Sequence, residues 1–165
     1  MFLIGLAIII FLTFGLTMLR GAPYLPAHYK DVEAVLKGLE LKPGDLIVDL
    51  GSGDGTVLLA AARQGLVAYG YEINPLLCII GWLRCRHYGK QIKILWRDFW
   101  FIDLPPETKV IFIFAAGPYM KGLARKFSTL ALQHGEPFYV ASYGFSLPQV
   151  DSLRIVSGTY IYRYN

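Results

Sequence analysis

The sequence predicts a three-layer α/β sandwich around a mainly parallel seven-strand sheet that ends in an antiparallel hairpin, with one transmembrane helix ahead of it. Three observations carry that expectation. Short, continuously apolar runs alternate with amphipathic segments of helical period, as strands buried on both faces do between crossover helices. Residues 153–156 and 159–163 are separated only by Ser157-Gly158, which leaves room for a hairpin and nothing longer. Residues 1–19 contain no charged, Asn, Gln or Pro residue. As a helix they would span roughly 28 Å, close to the ~30 Å hydrocarbon core.

The apolar segment reads as an anchor and not as a cleaved signal. It lacks a basic n-region, and Arg20-Gly21-Ala22-Pro23 is not a small-x-small cleavage site. All 16 Lys and Arg lie at or after Arg20, so the positive-inside tendency places the rest of the chain in the cytoplasm. Residues 20–27, with Pro23 and Pro26, form a short linker, and residues 28–165 form one domain.

Along that domain Val32, Val35, Leu36 and Leu39 recur at helical spacing. Lys42-Pro43-Gly44-Asp45 is a turn, and residues 46–50 are a strand, apolar but for Asp49. Residues 56–64 read as a helix stopped by Gly65. Strand 67–72 follows, then a helix capped by Asn74, opened by Pro75 and running to about Tyr88. Residues 92–96 and 110–114 are strands, 118–133 a helix and 138–142 a fifth parallel strand. Tyr160, Tyr162 and Tyr164 share one face of the last strand and cover the domain's own helix, a lipid or a partner.

Cys78 and Cys85 lie seven apart in one helical run, about 10 Å from each other and too far for a disulfide. They read as packing residues of a reducing compartment, and no Cys/His spacing suggests a metal. The net charge of +4 has one dense cluster, Arg84, Arg86, His87, Lys90 and Lys93. Cations at a helix C-terminus account for it, or a face toward anionic lipid. The strip is too short to suggest nucleic acid.

The chemistry gathers at the carboxyl ends of the strands, where open α/β sheets bind ligands. After the first strand, Asp49 is followed by Gly51, Ser52, Gly53 and Gly55. The glycines are too closely spaced for G-x-G-x-x-G, and no Lys-Ser/Thr follows for a phosphate loop. The second strand ends in Glu72-Ile73, and an acid there accepts hydrogen bonds from both hydroxyls of a ribose. The third is followed by Asp98-Phe99, an acid for an adenine amino group, with Ile73 and Phe99 apolar against the ring faces. Asp49 suits a cation better than a phosphate. Adenine, ribose and a positively charged tail describe S-adenosylmethionine.

Asp49, Gly51, Gly53 and Gly55 fit D/E-x-G-x-G-x-G, the first motif of the seven-strand class I methyltransferases. The stretches LPAHYKDVEAVLKGLELKPGDLIVDLGSGDG, YGYEINPLL, RDFW, IFAAGPYM and ASYGFSLP resemble the small membrane-anchored protein-lysine methyltransferases of mitochondria and their bacterial relatives. The resemblance implies a Rossmann-like fold and methyl transfer from S-adenosylmethionine to a lysine ε-amine, with membrane proteins as the substrate class. It also implies a helix between the fifth and sixth strands, here reduced to about residues 147–152. No general base stands out, since His28, His87 and His134 are not at strand ends. The candidate acceptor channel is aromatic, from Tyr24, Trp100, Tyr119 and Tyr143. Two other functions stay open: a lipid or small-molecule methyltransferase at the membrane surface, and a non-catalytic module that binds the cofactor. The sequence does not give the oligomeric state.

Overall fold

The computed structural model describes residue 15 and residues 27–165, so the expected anchor and nearly all of the linker lie outside the described residues. Among those described, no helix is long and apolar enough to cross a membrane. Helix α1 (Tyr29–Gly38) leads into β1 (Leu46–Leu50), α2 (Thr56–Arg63), β2 (Val67–Glu72) and α3 (Pro75–Cys85). Strands β3 (Ile92–Trp96) and β4 (Thr108–Ile113), helix α4 (Gly117–His134) and strand β5 (Phe138–Tyr143) follow. Strands β6 (Arg154–Val156) and β7 (Thr159–Tyr164) close the domain.

One seven-strand sheet runs in the order β3-β2-β1-β4-β5-β7-β6. The first five strands pair in parallel, while β7 pairs antiparallel with both β5 and β6. The chain order turns back at β1, whose neighbours are β2 and β4. The carboxyl end of β1 is therefore the switch point where a ligand crevice opens.

Side-chain alternation assigns the layers. Ile47, Ala68, Val110, Phe112 and Ala141 face α1, α2 and the inner side of α3. Leu46, Val48, Leu50, Ile111, Ile113 and Val140 face α4, through Met120, Leu123 and Phe127. The tyrosines of β7 lie on this second face. Tyr162 is fully buried, and Tyr164 stacks on Phe138 and meets Phe127 edge-on. They cover the domain's own helix.

Two expected elements differ. Helix α3 ends at Cys85, and residues 86–91 continue as a 3₁₀ turn, because Gly89 takes φ 54° and ψ −122° and breaks the helical path. No helix forms over residues 147–152. Pro148 cannot continue one, Gln149 adopts φ 62°, and the Leu147 N–H donates to the Tyr162 hydroxyl instead of to a helical carbonyl.

Candidate functional site

The glycine loop after β1 is shaped by backbone hydrogen bonds that only its sequence permits. The N–H groups of Gly51 and Ser52 both donate to the Tyr71 carbonyl of β2, folding the chain back over the strand end. Gly51, Gly53 and Gly55 take φ of 89°, 52° and 82°, where a Cβ is strained. A Cβ at Gly51 would meet nothing within 4 Å, so this side of the loop is open to a ligand. A Cβ at Gly55 would lie 2.8 Å from Cys85 Sγ. Gly55→Ala should therefore lower stability by about 1–3 kcal/mol in a thermal melt, from left-handed strain plus the clash. A melt unchanged from the parent would show that neither constraint operates.

Glu72 spans the gap between this loop and the β2–α3 turn. One carboxylate oxygen accepts from Gly53 N–H at 2.8 Å and the other from Asn74 N–H at 2.8 Å. The side chain is 5% exposed, and burial raises its pKa against the opposing pull of the Asn74, Gly53 and Ile73 N–H groups. Asp49, 3% exposed, is pushed well above the ordinary carboxylate value by burial first, then by Glu72 and Asp54. Asp54 itself turns toward α2, accepting from the Thr56 N–H and hydroxyl, and pairs with Arg84 of α3. The basic cluster thus spends one exposed cation on tying α3 to the glycine loop.

Asn74 caps α3 as expected, its side-chain oxygen accepting from the N–H groups of Leu76 and Leu77. Asp98 caps a short 3₁₀ turn over Phe99–Phe101 by accepting from Trp100 N–H. Trp96 Nε1 donates to the Ile73 carbonyl at 2.9 Å, which fastens the end of β3 to the loop carrying Ile73. Ile73 and Phe99 are half-buried, so both retain surface for a flat ring.

Ser52 does not present its hydroxyl to the open side of the loop. Its side chain sits on Gly70 of β2, where a Cβ would come within 2.5 Å of Ser52 Oγ. The aromatic candidates are not gathered into one channel either. Trp100 and Tyr119 pack on the α4 face. Tyr143 packs on the opposite face, against Phe112 and Phe114, and donates to Asp31 of α1. Tyr24 lies outside the described residues. Cys78 and Cys85 are free thiols, each pushed up to about 11 by burial, which leaves them poor nucleophiles.

Four positioning features escape a reading of motifs. Gly81 lets α3 close on the glycine loop, since a Cβ there would lie 3.2 Å from the Gly53 carbonyl oxygen. Gly122 of α4 accommodates the Trp100 ring, 3.1 Å from where a Cβ would stand. Lys126 donates to the carbonyls of Trp100 and Ile102 and holds the loop after β3 against α4. Burial lowers its pKa, opposed by Asp103 and Asp98. A fourth is the aromatic group of Phe114, Tyr143 and Phe145. Strand alternation puts Phe114 on the same face and end of the sheet as Asp49, whose partner on β4 is Phe112.

An RNA methyltransferase from Salinibacter ruber, solved in complex with S-adenosyl-L-homocysteine, has the same fold. It superposes with a TM-score of 0.72 at 23% identity, over 85% of this chain and 92% of that one. Fold and site together define an S-adenosylmethionine-dependent methyltransferase domain. Residues 49–154 match the ANTKMT methyltransferase domain, and the chain belongs to that family.

Two relatives illustrate it. The ATP synthase C-subunit lysine N-methyltransferase of Xenopus laevis is 36% identical over 111 residues, 65% of this chain and 47% of that protein. The adenine nucleotide translocase lysine N-methyltransferase of Mus musculus is 41% identical over 85 residues, 50% of this chain and 37% of that protein. The chain spans about half the length or less of these curated relatives.

Proposed function

We propose that this chain is a protein-lysine N-methyltransferase that draws its methyl group from S-adenosylmethionine. In this reading residues 1–19 anchor it, residues 20–27 form a short linker or lid, and residues 28–165 work on the cytoplasmic side of a bilayer. One observation carries the reading: two buried acids, Asp49 and Glu72, meet a left-handed glycine loop at the switch point of the sheet. Burial raises both carboxyls, Asp49 further beside Glu72 and Asp54, so a ligand with a positive charge and two adjacent hydroxyls would suit this pair of acids. The relatives named as lysine methyltransferases point to the same acceptor class.

The donor set fits the cofactor. Each Glu72 oxygen retains a lone pair beyond the bond it already accepts, enough for the two ribose hydroxyls. Ile73 and Phe99 would flank the adenine, and Asp98 would stand at its amino edge. Asp49 would hold the cationic end across the open side of Gly51. When bound, the cofactor supplies a methyl group activated by a sulfonium. Transfer would form the nitrogen–carbon bond as the carbon–sulfur bond breaks, leaving the electron pair on sulfur; the proton lost overall is the one the lysine ammonium gives up to water before attack. Lysine must attack as the neutral amine, at pH 7 about one molecule in 2,500 for an unperturbed pKa of 10.4. Phe114, Tyr143 and Phe145 offer an apolar approach beside Asp49 that disfavours the ammonium.

Radiolabelled S-adenosylmethionine, full-length protein in vesicles and host membranes provide the test. Label recovered as methyllysine in one or a few membrane proteins is the expected result. Label in extractable lipid would keep the cofactor and discard the acceptor. If protein lacking residues 1–20 labelled soluble proteins as efficiently, the tether would have no part in selecting the substrate.

A further inference from the structure

Helix α3 has two apolar faces, and the fold uses one. Leu77, Gly81 and Cys85 are buried, toward the sheet and the glycine loop. Leu76, Ile79, Ile80 and Leu83 recur at i, i+3, i+4 and i+7 on the other side, a stripe that in a globular domain normally seeks cover. All four are exposed, Ile79 by 56%. Trp82, beside the stripe, is 59% exposed. Trp96 of the edge strand β3, held to the Ile73 carbonyl at the start of α3, extends the patch at 68% exposure. Surface apolar residues taken singly are ordinary, but a whole helical face with two tryptophans is not.

Charge decides among the possible occupants. Between Glu72 and Asp98 the chain contains no acidic residue. Arg86 and Lys90, both exposed, stand just beyond the end of α3. A convex apolar stripe flanked by tryptophan and ended by cations matches a helix lying in the interface of an anionic bilayer. Packing residues 1–19 on this face would leave the cations unanswered, because that segment has no acid. A second copy of the same patch would bring none either. We infer that the outer face of α3, with Trp82 and Trp96, docks on anionic lipid and sets the distance and tilt of the site above the bilayer.

The docking is read by fluorescence, independently of methyl transfer. All three tryptophans, Trp82, Trp96 and Trp100, lie in the described domain and none in residues 1–19. Full-length protein is reconstituted into vesicles of phosphatidylglycerol and phosphatidylcholine, with and without bromine on the acyl chains. The docked helix brings Trp82 within reach of the bromines, and emission should fall about twofold or more. Trp82→Phe and Trp96→Phe together should remove most of that quenching and leave the signal of Trp100. The pair Ile79→Ser and Leu83→Ser should release it with all three tryptophans kept, and a near-parental melt confirms that the domain still folds. Lys90→Gln should weaken docking in anionic vesicles by up to about fivefold, the equivalent of ~1 kcal/mol per interfacial cation. Carbonate extraction of the same vesicles reports the anchor separately. Quenching that is absent, unchanged in the Ile79/Leu83 variant, or equal in purely zwitterionic vesicles would overturn the proposal.

Discussion

Glu72→Ala should abolish measurable cofactor binding and lower the melting temperature together. The two effects have different origins. In the proposed site, binding would lose two charge-assisted hydrogen bonds to ribose, at about 1.5 kcal/mol each or more, so affinity should drop by at least about 100-fold. Stability falls because the Gly53 and Asn74 N–H groups, each 2.8 Å from a Glu72 oxygen, lose their acceptor in a buried place. Orphaned buried donors cost about 1–3 kcal/mol apiece, partly offset by no longer burying a carboxylate. A net loss of about 2–4 kcal/mol would shift the midpoint by roughly 6–15 °C.

Glu72→Gln separates charge from geometry. The amide has one oxygen, so only one of the two N–H groups can keep an acceptor while the other meets an NH2 group. This variant should therefore resemble Ala more than the parent, in calorimetric titration with S-adenosylhomocysteine and in the melt alike. Parental affinity in Glu72→Gln would mean that the ribose does not sit at the end of β2.

How much of this was legible follows from which forces act locally. Strands β1 and β4 show in the sequence because a strand covered on both faces needs a nearly continuous apolar run, which 110–113 supplies in full and 46–50 supplies but for Asp49. Asp49, Glu72 and Asp98 stand out because each interrupts or follows such a run. The Asn74-Pro75 start of α3 is a local hydrogen-bond problem with a local answer. The end of α3 is not, since Gly89 breaks the chain three residues after Arg86 and nothing apolar marks the change. Gly81, Gly122 and Lys126 act through partners at a distance along the chain, so their types carry no local signal.

The described aromatic candidates divide by strand parity. Within β5, Tyr139, Ala141 and Tyr143 share one face while Phe138, Val140 and Ser142 share the other, so Tyr143 belongs with Phe112 and Phe114. Trp100 and Tyr119 belong with α4. Counting strand alternation outward from Asp49 would have separated the two groups and drawn in Phe114.

Asp49→Asn should make the cofactor-free domain more stable and the enzyme worse. The Asp49 carboxyl is raised in the folded state by burial and by Glu72 and Asp54, so the folded domain holds a proton there more tightly than the unfolded chain does. Its contribution is therefore fully present below the unfolded value of about 3.9 and is lost as pH rises through the raised folded pKa. At neutral pH the parent carries the penalty of a buried acid among acids, whether as a desolvated charge or as the cost of taking up a proton. Asparagine removes it, and a gain of about 0.5–2 kcal/mol is expected at pH 7 without cofactor. The gain should shrink toward zero as pH falls to about 4, where the parent carboxyl is itself protonated.

Saturating S-adenosylmethionine should reverse the order. A cation beside Asp49 turns the penalty into an attraction that asparagine cannot reproduce, so the parent should gain more melting temperature from the ligand than the variant does. Melts at pH 4 and pH 7, with and without ligand, give four differences for each protein. A variant less stable than the parent at pH 7 without cofactor would show that the folded domain already satisfies Asp49. An equal ligand shift in both proteins would mean that the cationic end of the cofactor lies elsewhere. The combination expected here, a stabler variant that binds more weakly, identifies Asp49 as a residue retained against the stability of the fold because the ligand needs its charge.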